Sequence, residues 1–170
     1  MVAKVLKLLC VFFSVVTVLC CGCGRHGAKA APVTDFTASF QGEYRGLELE
    51  GELSGSRRGL CSVTFSRPPS LCDARFSYRD SSLTFGCKGF SASADEACLP
   101  PDSLPALLRG VFRAVAAGDY RQGSGKNELL LRVGGIDCVL TCDSAGYPKT
   151  LLAPDLGCTL TFCHAAPLGE

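Results

Sequence analysis

"TDFTASFQGEYRGLELEGELSG", Thr34–Gly55, alternates apolar and polar residues in two consecutive runs. Phe36, Ala38, Phe40 and Tyr44 share one parity, and Thr37, Ser39, Gln41 and Glu43 share the other. In the second run Leu47, Leu49 and Leu53 oppose Glu48, Glu50 and Glu52. Period-two alternation sends successive side chains to opposite faces, so each run predicts a strand with one buried face and one face in water. The three glutamates then belong to a solvated face, not to a catalytic set.

The same pattern extends along the chain. Strands are predicted over 59–68, 74–80, 82–94, 128–135, 136–143, 149–154 and 157–164. Between them stand "SGSRRG", "SRPPS", "RDSS", "GSGKN" and "DSAGYP", all rich in turn-forming residues. Connections this short favour sequential antiparallel neighbours, hence a meander.

One segment changes period. In "PPDSLPALLRGVFRAVAAGDY", Leu104, Leu107, Leu108, Val111, Phe112 and Val115 recur at helical spacing, with Arg109 and Arg113 on another face. Asp102 or Ser103 suits the N-cap, Pro105 lies in the first turn and Gly118 suits the C-terminal end. The apolar stripe needs a partner, and the apolar face of the sheet is the only one large enough. The expected class is α+β, mostly antiparallel β, with one amphipathic helix.

Upstream of the domain the pattern is different. "MVAKVLK" is a short basic region, and Leu8 to Cys21 is an uncharged apolar run of 14 residues. Those are the parts of an export signal, and the run falls short of the roughly 20 helical residues that span a bilayer. Its end resembles a bacterial lipoprotein signal, in which a small residue precedes a cysteine that is diacylated and becomes the new N-terminus. Cys23 follows Gly22 and is the expected acylation site; Cys21 is the alternative, because Cys20 stands three residues before Cys23 where such signals carry Leu. Two acyl chains suffice for stable anchoring where one is marginal. The expected organisation is a signal peptide over 1–22, a lipidated cysteine with a flexible tether over 23–33 and a single domain over 34–167.

Without residues 1–22 the chain carries 15 basic against 16 acidic side chains, so it has no electrostatic footprint for nucleic acid. A tetrahedral metal site at "CCGCGRH" would need His26, which sits in a Gly/Ala stretch with no framework to hold it. No metal and no cofactor is expected.

The order of these parts resembles a known group. A signal ending in Cys, antiparallel strands, the "LPPDSLPALLRGVFRAV" helix and then "DSAGYPKTLLAPDLGCTLTF" are similar to lipoproteins related to the LolA and LppX lipoprotein carriers, in particular the Gram-positive, germination-lipoprotein-like branch. The likeness covers roughly residues 34 to 163. Its best local piece is Asp143, Gly146, Pro148 and Leu151, an acidic residue, a Gly-x-Pro turn and an apolar strand. The resemblance implies a strongly curved open sheet, an incomplete barrel, with the helix on its concave face. Relatives hold acyl chains there or dock envelope partners. The corresponding candidate groove here is Val63, Phe65, Leu83, Phe85, Leu104, Leu108 and Phe112. The chain departs from the group in its cysteine content and in showing a single covering helix.

Eight cysteines fall in the domain. By parity Cys61, Cys87, Cys138 and Cys158 read as small core residues. Cys72 and Cys98, in or beside loops, form the candidate disulfide. Cys138 and Cys158 are separated by the strand at 149–154, about 9.5 Å across two spacings, beyond the roughly 7 Å Cα limit for a bridge. Cys163 and His164 are neighbours on a strand and are expected on opposite faces.

No catalytic motif assembles. "QGSGKNE" lacks the first glycine and the Ser/Thr of a phosphate loop, and reads as a polar turn. Arg109 and Arg113 could meet an anionic headgroup, but a solvent-facing pair is the simpler expectation. The expected protein is therefore a non-enzymatic lipoprotein, extracytoplasmic and held on the bacterial cell membrane by its diacylglyceryl cysteine. Its partner would be a lipid or apolar ligand, or another exported protein. The alternative is a secreted, disulfide-framed interaction domain without lipid.

Overall fold

A computed structural model describes residues 30–168. The expected signal peptide over 1–22 and both candidate acylation sites, Cys21 and Cys23, lie outside the described residues. The elements are β1 (Phe36–Tyr44), β2 (Leu47–Ser56), β3 (Gly59–Arg67), β4 (Arg75–Arg79), β5 (Ser82–Cys87), β6 (Phe90–Asp95), α1 (Leu104–Ala117), β7 (Arg121–Gln122), β8 (Glu128–Val133), β9 (Ile136–Cys142), β10 (Pro148–Ala153) and β11 (Cys158–Pro167). Short 3-10 turns at Glu96–Cys98 and Pro154–Leu156 precede α1 and β11.

All eleven strands form one antiparallel sheet in the order β6-β5-β4-β3-β2-β1-β11-β10-β9-β8-β7. Two meanders, β1 to β6 and β7 to β11, are zipped together where β1 pairs with β11. The chain must therefore travel from one outer edge to the other between β6 and β7, and α1 makes that crossing.

The crossing shows how strongly the sheet curves. Within one turn of α1, Gly110 abuts Val133 of β8 while Arg113 abuts Gly59 at the start of β3. Those strands are six places apart, about 29 Å on a flat sheet, whereas a helix with its side chains is only about 10–12 Å across. The sheet must wrap around the helix, which lies in its concave face. The two edge strands do not pair with each other, so the barrel stays open.

The helix forms as its sequence dictates. Leu104, Leu107, Leu108, Val111, Phe112 and Val115 are all buried, each worth about 1.5–3 kcal/mol on removal from water. Gly118 takes the left-handed conformation at φ 74° and closes the C-terminus by donating to Ala114 and Val115 carbonyls. At the other end Ser103 stands at the N-cap, but its hydroxyl donates to the Pro100 carbonyl at 2.7 Å rather than capping the helix. The loop before it is held from outside, where the Tyr44 hydroxyl donates to the Asp102 carbonyl and Arg45 pairs with the Asp102 carboxylate. That pairing holds the Asp102 carboxyl below its usual range.

The first strands pair as their alternation predicts, with large rings set against glycines. Phe36 stands opposite Gly55 and Phe40 opposite Gly51. Phe40, Phe65, Phe76 and Phe85 continue as an aromatic row across β1, β3, β4 and β5, with successive centroids 5.0–6.2 Å apart.

Several expectations need correction. The strand expected over 82–94 is a hairpin, β5 and β6, turned by Lys88 and Gly89 at φ 47° and 85°. β7 was not expected. Arg109 does not face solvent, being only 8% exposed. Cys61 is not a core residue, because a register shift pairs Gly55 with Leu60 and Ser54 with Ser62, so Leu60 takes the buried place. Ala31 and Val33, expected in a free tether, rest on the β9–β10 turn, with the Val33 N–H donating to the Gly146 carbonyl at 2.8 Å.

Candidate functional site

The inward face is occupied. Val63, Phe65, Leu83, Leu104, Leu108 and Phe112 are brought together, each at most 4% exposed, within one continuous core, and Phe85 is half-buried against it. These seven residues were expected to line a groove. They form packed core instead, because α1 seats its whole apolar stripe in the curve of the sheet.

Beneath the helix the polar groups are spent on structure. Arg109 extends from α1 to donate to Glu96 at 3.1 Å and to the carbonyls of Leu60 at 2.6 Å and Asp80 at 2.9 Å, its guanidinium 5.0 Å from the Tyr78 ring. Arg113 reaches the other oxygen of Glu96 at 2.6 Å. The arginine pair is therefore committed to the protein's own carboxylate. Burial raises the Tyr78 hydroxyl to about 12, opposed by the nearby Arg109 charge, and that hydroxyl donates to the Pro105 carbonyl.

Across β11 and β1 to β4 the outward face is open and carries polar side chains, whereas Leu130 and Leu152 flank Val139 on the outward side of β8 to β10. A depression of about 650 Å³ crosses β11, β1, β2, β3 and β4, lined by Thr37, Ser39, Glu52, Ser54, Ser62, Thr64, Arg75 and His164, with Ala38 and Leu53 between them. A second, of about 300 Å³, adjoins it, with Gln41, Glu50, Ser66 and Cys163 joining Ser39, Glu52 and His164. The Ser, Thr, Gln, Glu and Arg side chains among them are polar members of the alternation, so most of the trough follows from the period-two pattern. Ser54 and Ser62 share a hydrogen bond at 2.9 Å, and Glu50 pairs with Arg67 at 3.3 Å.

Sequence reasoning missed the feature that completes this face. Phe162 is buried and Ala165 packs on the core, yet both Cys163 and His164 lie between them. A bulge is responsible: Ser39 pairs with Cys163 and Thr37 with Ala166, so Ala38 faces two residues, and His164 takes φ 52°. The extra residue turns His164 to the same side as Cys163, correcting the expectation of opposite faces. The Ser39 hydroxyl secures the bulge by donating to the Cys163 carbonyl at 3.1 Å.

All eight described cysteines are free thiols. The expected bridge between Cys72 and Cys98 does not form. Cys72 precedes β4, whereas Cys98 follows the turn that hydrogen-bonds Ser81 just beyond β4, so they lie at opposite ends of a strand about 17 Å long. Cys138 and Cys158 sit on β9 and β11 with β10 between them, as expected. Burial raises the thiols of Cys138 and Cys142 to about 11 and that of Cys158 to about 12. Among the described residues no three His, Cys, Asp or Glu side chains converge on a possible metal position. The "QGSGKNE" turn is closed by its own carboxylate, with the Gly125 N–H donating to Glu128 at 2.7 Å. No described helix is long and apolar enough to cross a membrane.

The sequence matches no protein-family model and no curated protein. Its fold is similar to that of an uncharacterized conserved protein from Thermus thermophilus, at 14% identity and a TM-score of 0.52, over 81% of this chain and 80% of the other.

Proposed function

We propose that this chain is a non-enzymatic lipoprotein of the bacterial cell envelope, anchored through Cys23, whose curved sheet docks a polar segment of another exported protein on its outward face. One observation carries the choice of docking over acyl-chain carriage. From β1 to β5 the apolar face is packed against α1, while the trough around Glu52, Arg75 and His164 is open. Hydroxyl, carboxylate, guanidinium and imidazole groups there offer donors and acceptors of both charges, suited to an extended peptide and poor for hydrocarbon. The export signal, the Gly22–Cys23 junction and the resemblance to the LolA and LppX group support the location.

The test has two parts. Metabolic labelling with a fatty acid should mark the wild type and not Cys23→Ser; label kept by the variant would overturn the anchor at Cys23. Native mass spectrometry after gentle extraction should give a domain free of additional lipid. A stoichiometric co-purifying lipid would favour carriage over docking.

A further inference from the structure

The two edges of the sheet differ in a way that points to a partner. β7 is two residues long and begins with Arg121, and a short, charged strand is a common guard against edge pairing. β6, Phe90–Asp95, runs for six residues without proline or bulge, carries a charge only at its last position and is exposed throughout. Among the described residues nothing pairs with its outer side.

The hairpin geometry sets which groups face outward. In a two-residue turn the flanking pair, Cys87 and Phe90, is the hydrogen-bonded one, and bonding alternates from there. Phe90, Ala92 and Ala94 thus bond to β5, while Ser91, Ser93 and Asp95 direct their N–H and C=O groups to the open edge. Side chains alternate too. Ala94 stands opposite buried Leu83 and Ala92 opposite Phe85, so Phe90, Ala92 and Ala94 continue the inward apolar face beyond the reach of α1. Phe90 is 64% exposed there.

We propose that β6 is a homodimer interface, joining two copies of this chain by antiparallel β6–β6 pairing across a two-fold axis at Ala92. The strand is complementary to itself in that register. Ala92 meets Ala92, and each Phe90 lies beside the small Ala94 of the other copy. Ser91 meets Ser93 on the outward face. The basic turn at Lys88 comes alongside the exposed Asp95 of the other copy, whose neighbour Glu96 is already held by Arg109 and Arg113. The axis is perpendicular to the sheet, so both inward faces stay on one side and the aromatic row continues toward the second copy. One strand pair of this length buries less than the roughly 1,200 Å² of a stable interface, so the dimer is weak and concentration-dependent.

The intact chain in mild detergent, studied by sedimentation over a range of concentrations, should show monomer and dimer. Amide exchange at Ser91 and Ser93 should slow as concentration rises. Ser93→Pro removes an N–H that β5 does not use and should weaken the dimer by about tenfold or more. Ala92→Lys sets two like charges across the axis and should do the same; it decides the matter if the proline variant fails to fold. A species monomeric at every concentration overturns the proposal. So do a dimer that survives both substitutions, and protection of Ser91 and Ser93 that appears only with a different protein present.

Discussion

Phe40 and Gly51 stand directly opposite each other on β1 and β2, and the ring fills the place where a Gly51 Cβ would lie, 2.8 Å from Cζ. The other neighbour of that place is the Thr64 carbonyl oxygen, at 2.2 Å, which is backbone of β3 and cannot turn aside. Replacing glycine in a strand with alanine ordinarily gains up to about 1 kcal/mol from the unfolded chain. Here overpacking, about 1–3 kcal/mol, is the larger effect. Gly51→Ala should lower the urea midpoint with the slope of the transition unchanged, and a neutral or stabilised variant would remove the close-packing account of this pair.

A second prediction concerns the only buried charge of the described core. Arg109 satisfies Glu96 and the carbonyls of Leu60 and Asp80 together. Arg109→Met orphans both carbonyls and should cost about 3–5 kcal/mol, whereas Glu96→Gln keeps an acceptor in place and should cost about 1–3 kcal/mol. Equilibrium unfolding gives the order directly. If Glu96→Gln proves the more damaging, Arg109 is held by the carbonyls less than its distances imply.

The domain should weaken in alkali. Cys138, Cys142 and Cys158 rise from 9.0 to about 11, 11 and 12, and Tyr78 from 10.0 to about 12, all chiefly through burial. A group with a raised folded value holds its proton while the unfolded chain releases one. Its contribution is full below the unfolded value, so stability should be level up to about pH 9 and fall as pH climbs toward 11–12. Urea titrations under reducing conditions test this, and Cys138→Ala with Cys158→Ala should flatten the slope. A stability that rises from pH 9 to 11 would contradict it.

How far such features can be read before folding depends on their physical origin. The alternation in 34–55 and the stripe from Leu104 to Val115 were legible because one face of each element meets the core along its whole length. The Lys88–Gly89 turn was not, since the Ser and Ala residues that alternate along β6 are all small and exposed and pack under nothing that would impose contrast. Arg109 misled because a charge reads as solvent-facing until acceptors converge on it from the β2–β3 turn, β3, the β4–β5 turn and the turn at Glu96. The outward trough was half legible. Its Ser, Thr and Glu residues follow from parity, but His164 joins them through a single inserted residue, and a bulge reverses the parity of everything after it.

His164 gives the last prediction, which separates the bulge from the imidazole it presents. At φ 52° an L-residue carries about 1–2 kcal/mol of left-handed cost, and glycine avoids that cost while losing about 0.5–1 kcal/mol of chain entropy. His164→Gly should therefore be neutral or stabilising by up to about 1 kcal/mol. His164→Val, branched at Cβ and so less tolerant of positive φ than His, should be destabilising, and the two together test the backbone by urea unfolding. The glycine variant keeps the trough and removes its imidazole. If the outward face docks a polar segment, a photo-crosslinker placed at Ser62 should capture a partner in cells, and His164→Gly should reduce that yield without lowering stability. An undiminished yield would leave His164 as a backbone device and move recognition to Glu52 and Arg75.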